Sequence, residues 1–170
     1  MPLEIDRKVL VREELWTPPA RGSRLIQGYF ALEGGIGRVR IDGEAGFLTL
    51  KGPVRGISRE EDEFVIPRRE AEQLLQAKCQ RPWIEKTRYE VAYGGHLWQI
   101  DVFEGENHGL LVAEVELSSP DEAVELPSWV DREVSSDPRY FNSNLVLLPY
   151  RKWAPADAAA PGPSACAPAL

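Results

Sequence analysis

Charges of one sign recur two residues apart along this chain: Glu4 with Asp6, Arg38 with Arg40, Glu61 with Glu63, Lys86 with Arg88, Glu114 with Glu116. Residues i and i+2 share a face in an extended strand, whereas a helix turns them to nearly opposite sides. The spacing therefore commits these stretches to β-structure with one charged face. Ile5 and Val9 oppose Glu4, Asp6 and Lys8; Val39 and Ile41 oppose the paired arginines; Leu48 and Leu50 oppose Thr49 and Lys51. The alternation predicts strands over Leu3–Val11, Arg24–Leu32, Ile36–Asp42, Phe47–Lys51, Ser58–Ile66, Trp83–Tyr93, His96–Phe103 and Leu110–Leu117. Turn chemistry separates several of them, most clearly Tyr93-Gly94-Gly95-His96.

Three stretches read as helices. Pro67 stands at a first helical position before Arg68–Lys78, where Ala71, Leu74 and Leu75 have helical spacing. Ser119-Pro120-Asp121-Glu122 carries a cap, a first-turn proline and early acids. Asp137-Pro138 repeats that signature ahead of a third helix ending near Leu148, with Phe141, Leu145 and Leu148 on one stripe. Eight strands with few helices make an α+β protein led by an antiparallel sheet. The domain is expected over residues 1–153. The alanine- and proline-rich segment 154–170 reads as a disordered tail.

Two cysteines exclude a disulfide scaffold or a four-cysteine zinc site. The first residues lack the apolar run of a signal peptide, and no window is apolar enough for a membrane helix, so a cytoplasmic location is expected. Twenty basic against 27 acidic residues give a net charge of −7, which argues against a general nucleic-acid binder.

The polar faces of the predicted strands carry the acids Glu4, Asp6, Glu61, Glu63, Asp101, Glu114 and Glu116, and the bases Lys8, Arg38, Arg40, Lys51, Lys86 and Arg88. An antiparallel sheet with one wet face accounts for any single pair. Sorting acids and bases into separate strands is a different matter, because a plain surface favours opposite signs across strands. If the sheet closes into a barrel, the charged face becomes a lumen with room for side chains or one small ligand. Unpaired charges cannot stay dry there. A ligand of high negative charge would answer the cations, and a hard divalent cation the carboxylates. A polyphosphate with a divalent metal meets both demands.

Glu4-Ile5-Asp6-Arg7-Lys8 resembles the N-terminal E-x-E-x-K signature of the CYTH family, the triphosphate tunnel metalloenzymes. Arg38-Val39-Arg40, Thr49-Leu50-Lys51, Ser58 to Glu63, Glu85 to Tyr89, Asp101-Val102-Phe103, Glu114-Val115-Glu116 and Arg139-Tyr140-Phe141-Asn142 resemble its later motifs in order. Asp6 departs from the usual glutamate and is one methylene shorter. The resemblance, over roughly residues 3–148, implies a closed eight-stranded antiparallel β-barrel that holds a triphosphate group and a divalent metal.

Metal-dependent hydrolysis of inorganic triphosphate or a related compound is then the expected activity. Adenylate cyclase, thiamine triphosphatase and a non-hydrolysing polyphosphate-binding module stand as alternatives. Lys8, Arg38, Arg40, Lys51, Lys86, Arg88 and Arg139 are assigned to phosphate oxygens. Glu4, Asp6 and Glu116 are assigned to Mg2+ or Mn2+, with Glu61, Glu63, Asp101 and Glu114 for a second ion or a water. Glu63 is a catalytic candidate. So is Lys8 acting as a base beside Tyr29, should the first two strands be neighbours. The expected partner is a triphosphate-bearing small molecule, with no nucleic acid or membrane expected and a homodimer left open. His96 and His108 read as exposed loop residues, the five tryptophans as packing, and Gly34-Gly35-Ile36-Gly37 as no nucleotide fingerprint, since a strand follows it.

Overall fold

The computed structural model describes residues 2–155. Among them are nine strands: β1 (Leu3–Val11), β2 (Ser23–Leu32), β3 (Gly35–Asp42), β4 (Ala45–Lys51), β5 (Ser58–Pro67), β6 (Ile84–Tyr93), β7 (His96–Phe103), β8 (Leu111–Glu116) and β9 (Val130–Glu133). Two α-helices, α1 (Arg68–Lys78) and α2 (Asn142–Leu147), accompany them. Most of the tail expected over 154–170 lies outside the described residues. No described helix is long and apolar enough to cross a membrane.

All pairings are antiparallel, in the order β5-β4-β3-β2-β6-β7-β8-β1. The ring then closes, because β1 pairs back onto β5 through Leu3↔Glu60, Glu4↔Arg59 and Ile5↔Ser58. Farther along that edge β1 takes β9, with Val9 opposite Glu133 and Val11 opposite Val130. The eight expected strands are all present. The ninth was not anticipated: Val130-Asp131-Arg132-Glu133 is too short and too charged to show a periodicity. At the β6–β7 turn both Gly94 and Gly95 have positive φ, 59° and 79°, the conformation a two-residue hairpin loop demands.

Two helix expectations need correction. Ser119–Glu122 forms only a turn, and the Glu122 carboxylate is spent on the Ser118 amide and hydroxyl and on His96. The stretch from Asp137 is not one helix. A single 3₁₀ turn over Pro138–Tyr140, capped by the Asp137 side chain, ends at Phe141, whose ψ of 130° breaks the run before α2. The cap signature was right and the length wrong. Propensity marks where a helix can start, while tertiary contacts decided where this one bends.

The alternation works outward as well as inward. Ile5 and Val9 on β1, Trp98 and Ile100 on β7, and Val115 on β8 point out of the ring into an apolar cluster roofed by Trp16 and Trp129. Val39 and Ile41 on β3 pack beneath Ala71 and Leu75 of α1. These two hydrophobic clusters lie outside the ring; its interior is charged, apart from an apolar cluster at one end.

Candidate active site

The ring encloses a cavity of about 860 Å³. Every expected site residue lines it except Asp101 and Arg139. The lining includes Glu4, Asp6 and Lys8 from β1, Arg38 and Arg40 from β3, Lys51 from β4, and Glu61 and Glu63 from β5. Lys86 and Arg88 of β6 and Glu114 and Glu116 of β8 complete the expected set. Strand parity and closure together suffice to bring these side chains to one space.

Each cation is held by a neighbouring carboxylate. Arg38 Nη2 donates to Glu63 Oε2 at 3.0 Å and to Thr49 Oγ1 at 3.1 Å, and Arg40 reaches the same carboxylate at 3.4 Å. Lys51 is paired with Glu61. Lys8 Nζ lies 3.0 Å from Glu114 Oε1 and donates to the Tyr140 carbonyl at 3.3 Å. Asp101 is 1% exposed and engages both oxygens: Lys86 Nζ at 2.7 Å, Arg88 Nε at 2.7 Å and Arg88 Nη2 at 2.9 Å. It stands behind the lining as an anchor for two cations, which is the structure's departure from its expected place among the metal ligands. Burial pulls the Lys86 ammonium down to about 8, against the opposing charge of Asp101.

The carboxylates of β1 have a different environment. Burial raises Glu4 to about 8, helped by a hydrogen bond with Glu61 and the charge of Asp6. Burial also raises Asp6 to about 7, with Glu114 and then Glu116 adding repulsion that Lys8 only partly offsets. Asp6 sits directly across from Glu116, and Lys8 across from Glu114, in the β1–β8 register. Bare carboxyls that retain protons near neutral pH mark a spot short of positive charge. The donor set of Glu4, Asp6, Glu116 and neighbouring Glu61 is all hard oxygen and fits a small divalent cation. Among the described residues no ready-made cluster of three metal-ligating side chains exists. A bound ion would share its shell with phosphate oxygens and water, as Mg2+ commonly does.

One end of the cavity is closed. Moving along each strand by two residues, Lys8 gives way to Leu10, Gln27 to Tyr29, Arg38 to Ile36, Lys86 to Ile84, Asp101 to Phe103 and Glu114 to Val112. These apolar residues form one cluster with Tyr140, Leu145, Val146 and Trp153. Phe141, Asn142 and Ser143 stand at the edge of that floor and line the cavity. Arg139 belongs elsewhere: it is bound to Asp137 at 2.6 Å and faces Trp153, so the role of offering it to phosphate is not met by its placement.

The Tyr29–Lys8 pairing is also corrected. β2 lies between β3 and β6, not beside β1, because those two strands take both of its edges. Tyr29 accepts from Gln27 Nε2 at 2.8 Å, and burial raises its phenol to about 12. His96 is corrected too: it is half-buried at the mouth, with Nε2 2.7 Å from Glu122 Oε1, and it lines the cavity. His108 is exposed as expected. Arg59, Gln99 and Asn142 line the cavity and were not singled out. Parity on strands five and seven was a sufficient signal for Arg59 and Gln99. No periodicity signals Asn142, which arrives from outside the sheet.

The model of the CYTH domain family matches residues 3–145. The chain belongs to this family. Among CYTH relatives, the inorganic triphosphatase of Acetivibrio thermocellus is 42% identical over 151 residues, covering 88% of this chain and 97% of that protein. The inorganic triphosphatase of Nitrosomonas europaea is 38% identical over 151 residues, covering 85% and 97%. The crystal structure of the inorganic triphosphatase NE1496 superposes with a TM-score of 0.61 at 35% identity, covering 86% of this chain and 96% of that one. A putative adenylate cyclase from Bacillus halodurans, 18% identical with a TM-score of 0.57, covers 70% and 83% and shares the fold.

Proposed function

We propose that this CYTH protein hydrolyses inorganic triphosphate, or a compound bearing a linear triphosphate, with a divalent cation. The observation that carries the reading is a closed ring whose interior sets lysines and arginines against carboxyls short of positive charge. The naming of two full-length relatives as inorganic triphosphatases supports it.

In this reading Lys8, Arg38, Arg40, Lys51, Arg59, Lys86 and Arg88 take the phosphate oxygens. Arginines grip two oxygens in a fork and lysines act as point charges. Carboxylate partners hold all of these except Arg59, which donates to the Gly52 carbonyl, in place before substrate arrives, so little reorganisation accompanies binding. Glu63, shared by Arg38, Arg40 and Thr49, orients the guanidinium pair. Glu4, Asp6 and Glu116 would hold Mg2+ or Mn2+, which when bound supplies charge neutralisation on the phosphoryl group in transfer. With positioning and electrostatics dominating phosphoryl transfer, these side chains provide most of what the reaction requires.

The test is incubation with inorganic triphosphate, ATP and thiamine triphosphate, with and without Mg2+ or Mn2+. Orthophosphate released from inorganic triphosphate only with the cation is the expected result. Cyclic AMP from ATP without triphosphate hydrolysis would replace this reading with a cyclase. Tight binding without turnover would replace it with a binding module.

A further inference from the structure

Asn142 opens α2 immediately after the Phe141 break, and its side chain lines the cavity. Its Oδ1 accepts from Gln27 Nε2 at 3.0 Å and from Lys86 Nζ at 2.9 Å. An amide oxygen has two lone pairs, so both are engaged. The other Gln27 amide hydrogen goes to the Tyr29 hydroxyl at 2.8 Å, which leaves that amide little freedom to turn. Lys86 has three ammonium hydrogens. One is directed to Asp101 Oδ2 at 2.7 Å and one to Asn142. With Asp101 alone, two N–H groups would remain uncommitted; with Asn142 as well, only one remains, and its direction is set by the other two.

Resting on the triphosphate reading above, we propose that Asn142 is a positioning residue for the phosphate chain, aiming the remaining Lys86 N–H into the tunnel. Through Gln27 it ties that aim to the seating of the apolar floor. The same segment takes Lys8 through the Tyr140 carbonyl at 3.3 Å, so lysines from separate strands are both referenced to it. A neutral amide suits the task. It gives the ammonium a second acceptor without adding another negative charge to that of Asp101.

The experiment is calorimetric titration of the full chain with inorganic triphosphate in EDTA, using Asn142→Leu, Lys86→Met and the double variant. Loss of a charged hydrogen bond that orients Lys86 should weaken binding about tenfold in the Lys86 background. In the Lys86→Met background the same change should weaken it less than about twofold, because contacting residues that act together are not additive. Equal weakening in both backgrounds, or none in either, overturns the proposal. A merely structural role would lower the melting temperature and leave the affinity of the folded fraction unchanged. Should Asn142→Leu fail to fold, Asn142→Ala removes the acceptor without adding charge or bulk. It should weaken binding about tenfold with Lys86 present and less than about twofold in the Lys86→Met background. Absence of triphosphate binding by the unsubstituted chain would overturn the functional reading itself, an outcome distinct from simple additivity.

Discussion

Asp101 carries an unusual load for one carboxylate, since the placement of both Lys86 and Arg88 depends on it. Removing one partner of a buried ion pair leaves an uncompensated charge, so Asp101→Ala should cost about 3–5 kcal/mol in urea unfolding. The raised carboxyls Glu4 and Asp6 make a separate prediction about pH. In the folded metal-free chain they keep protons up to about 8 and about 7, against 4.5 and 3.8 for ordinary solvent-exposed carboxyls. Between those limits the folded state binds more protons than the unfolded one, so stability from these two groups falls as pH rises. Thermal melting in EDTA should therefore decline from pH 4 toward about pH 8 in the contribution that Glu4→Gln and Asp6→Asn remove. Added Mg2+ or Mn2+ should offset the loss at the alkaline end. A contribution rising with pH would contradict the desolvated, crowded environment from which the shifts arise.

At the scale of elements, the seam between β1 and β5 is the shortest in the ring, three residue pairs against five or more for the others that form it. Ile5 lies in that seam and is 5% exposed, packed into the outer cluster beneath the tryptophans. Ile5→Ala should cost about 2–5 kcal/mol and, by loosening closure, speed amide exchange at β1 residues 3–5 ahead of the rest of the ring. Uniform exchange along β1 would show that closure does not depend on this contact. Gly37 makes a second prediction. It pairs with Phe30 across β2–β3, and a Cβ there would sit 2.2 Å from the ring. Gly37→Ala should lower stability by about 1–3 kcal/mol as the ring is forced aside. Phe30→Leu combined with it should recover part of the loss.

For the whole molecule, the arrangement inverts the usual globular plan, with apolar clusters outside the ring and at one end and charge within. Triphosphate should act on folding as well as on the site. At about one hundred times its dissociation constant it should stabilise the chain by about 2.7 kcal/mol, read as a rise in melting temperature in EDTA. Much of this plan was legible in strand parity. Glu4, Asp6 and Lys8, or Arg38 and Arg40, had to share a face once their segments were strands, and α1 followed from Pro67 and the spacing of Ala71, Leu74 and Leu75. Asp101 was placed on the correct strand and face, yet its service to Lys86 and Arg88 depends on register between strands, which no single segment records. The expected adjacency of the first two strands was overturned for the same reason: neighbouring in sequence is not neighbouring in the sheet.

What the amino-acid order determined by itself is local: alternation makes strands, and the like charges on alternate residues make one face of each strand ionic, because an extended chain repeats every two residues. Tertiary structure alone decided that β1 meets β5, that those ionic faces look inward, and that Phe141 bends so Asn142 can reach Lys86. Those choices depend on contacts between residues more than a hundred positions apart in some cases, such as Gln27 with Asn142. Their energies exist only once the chain has closed on itself.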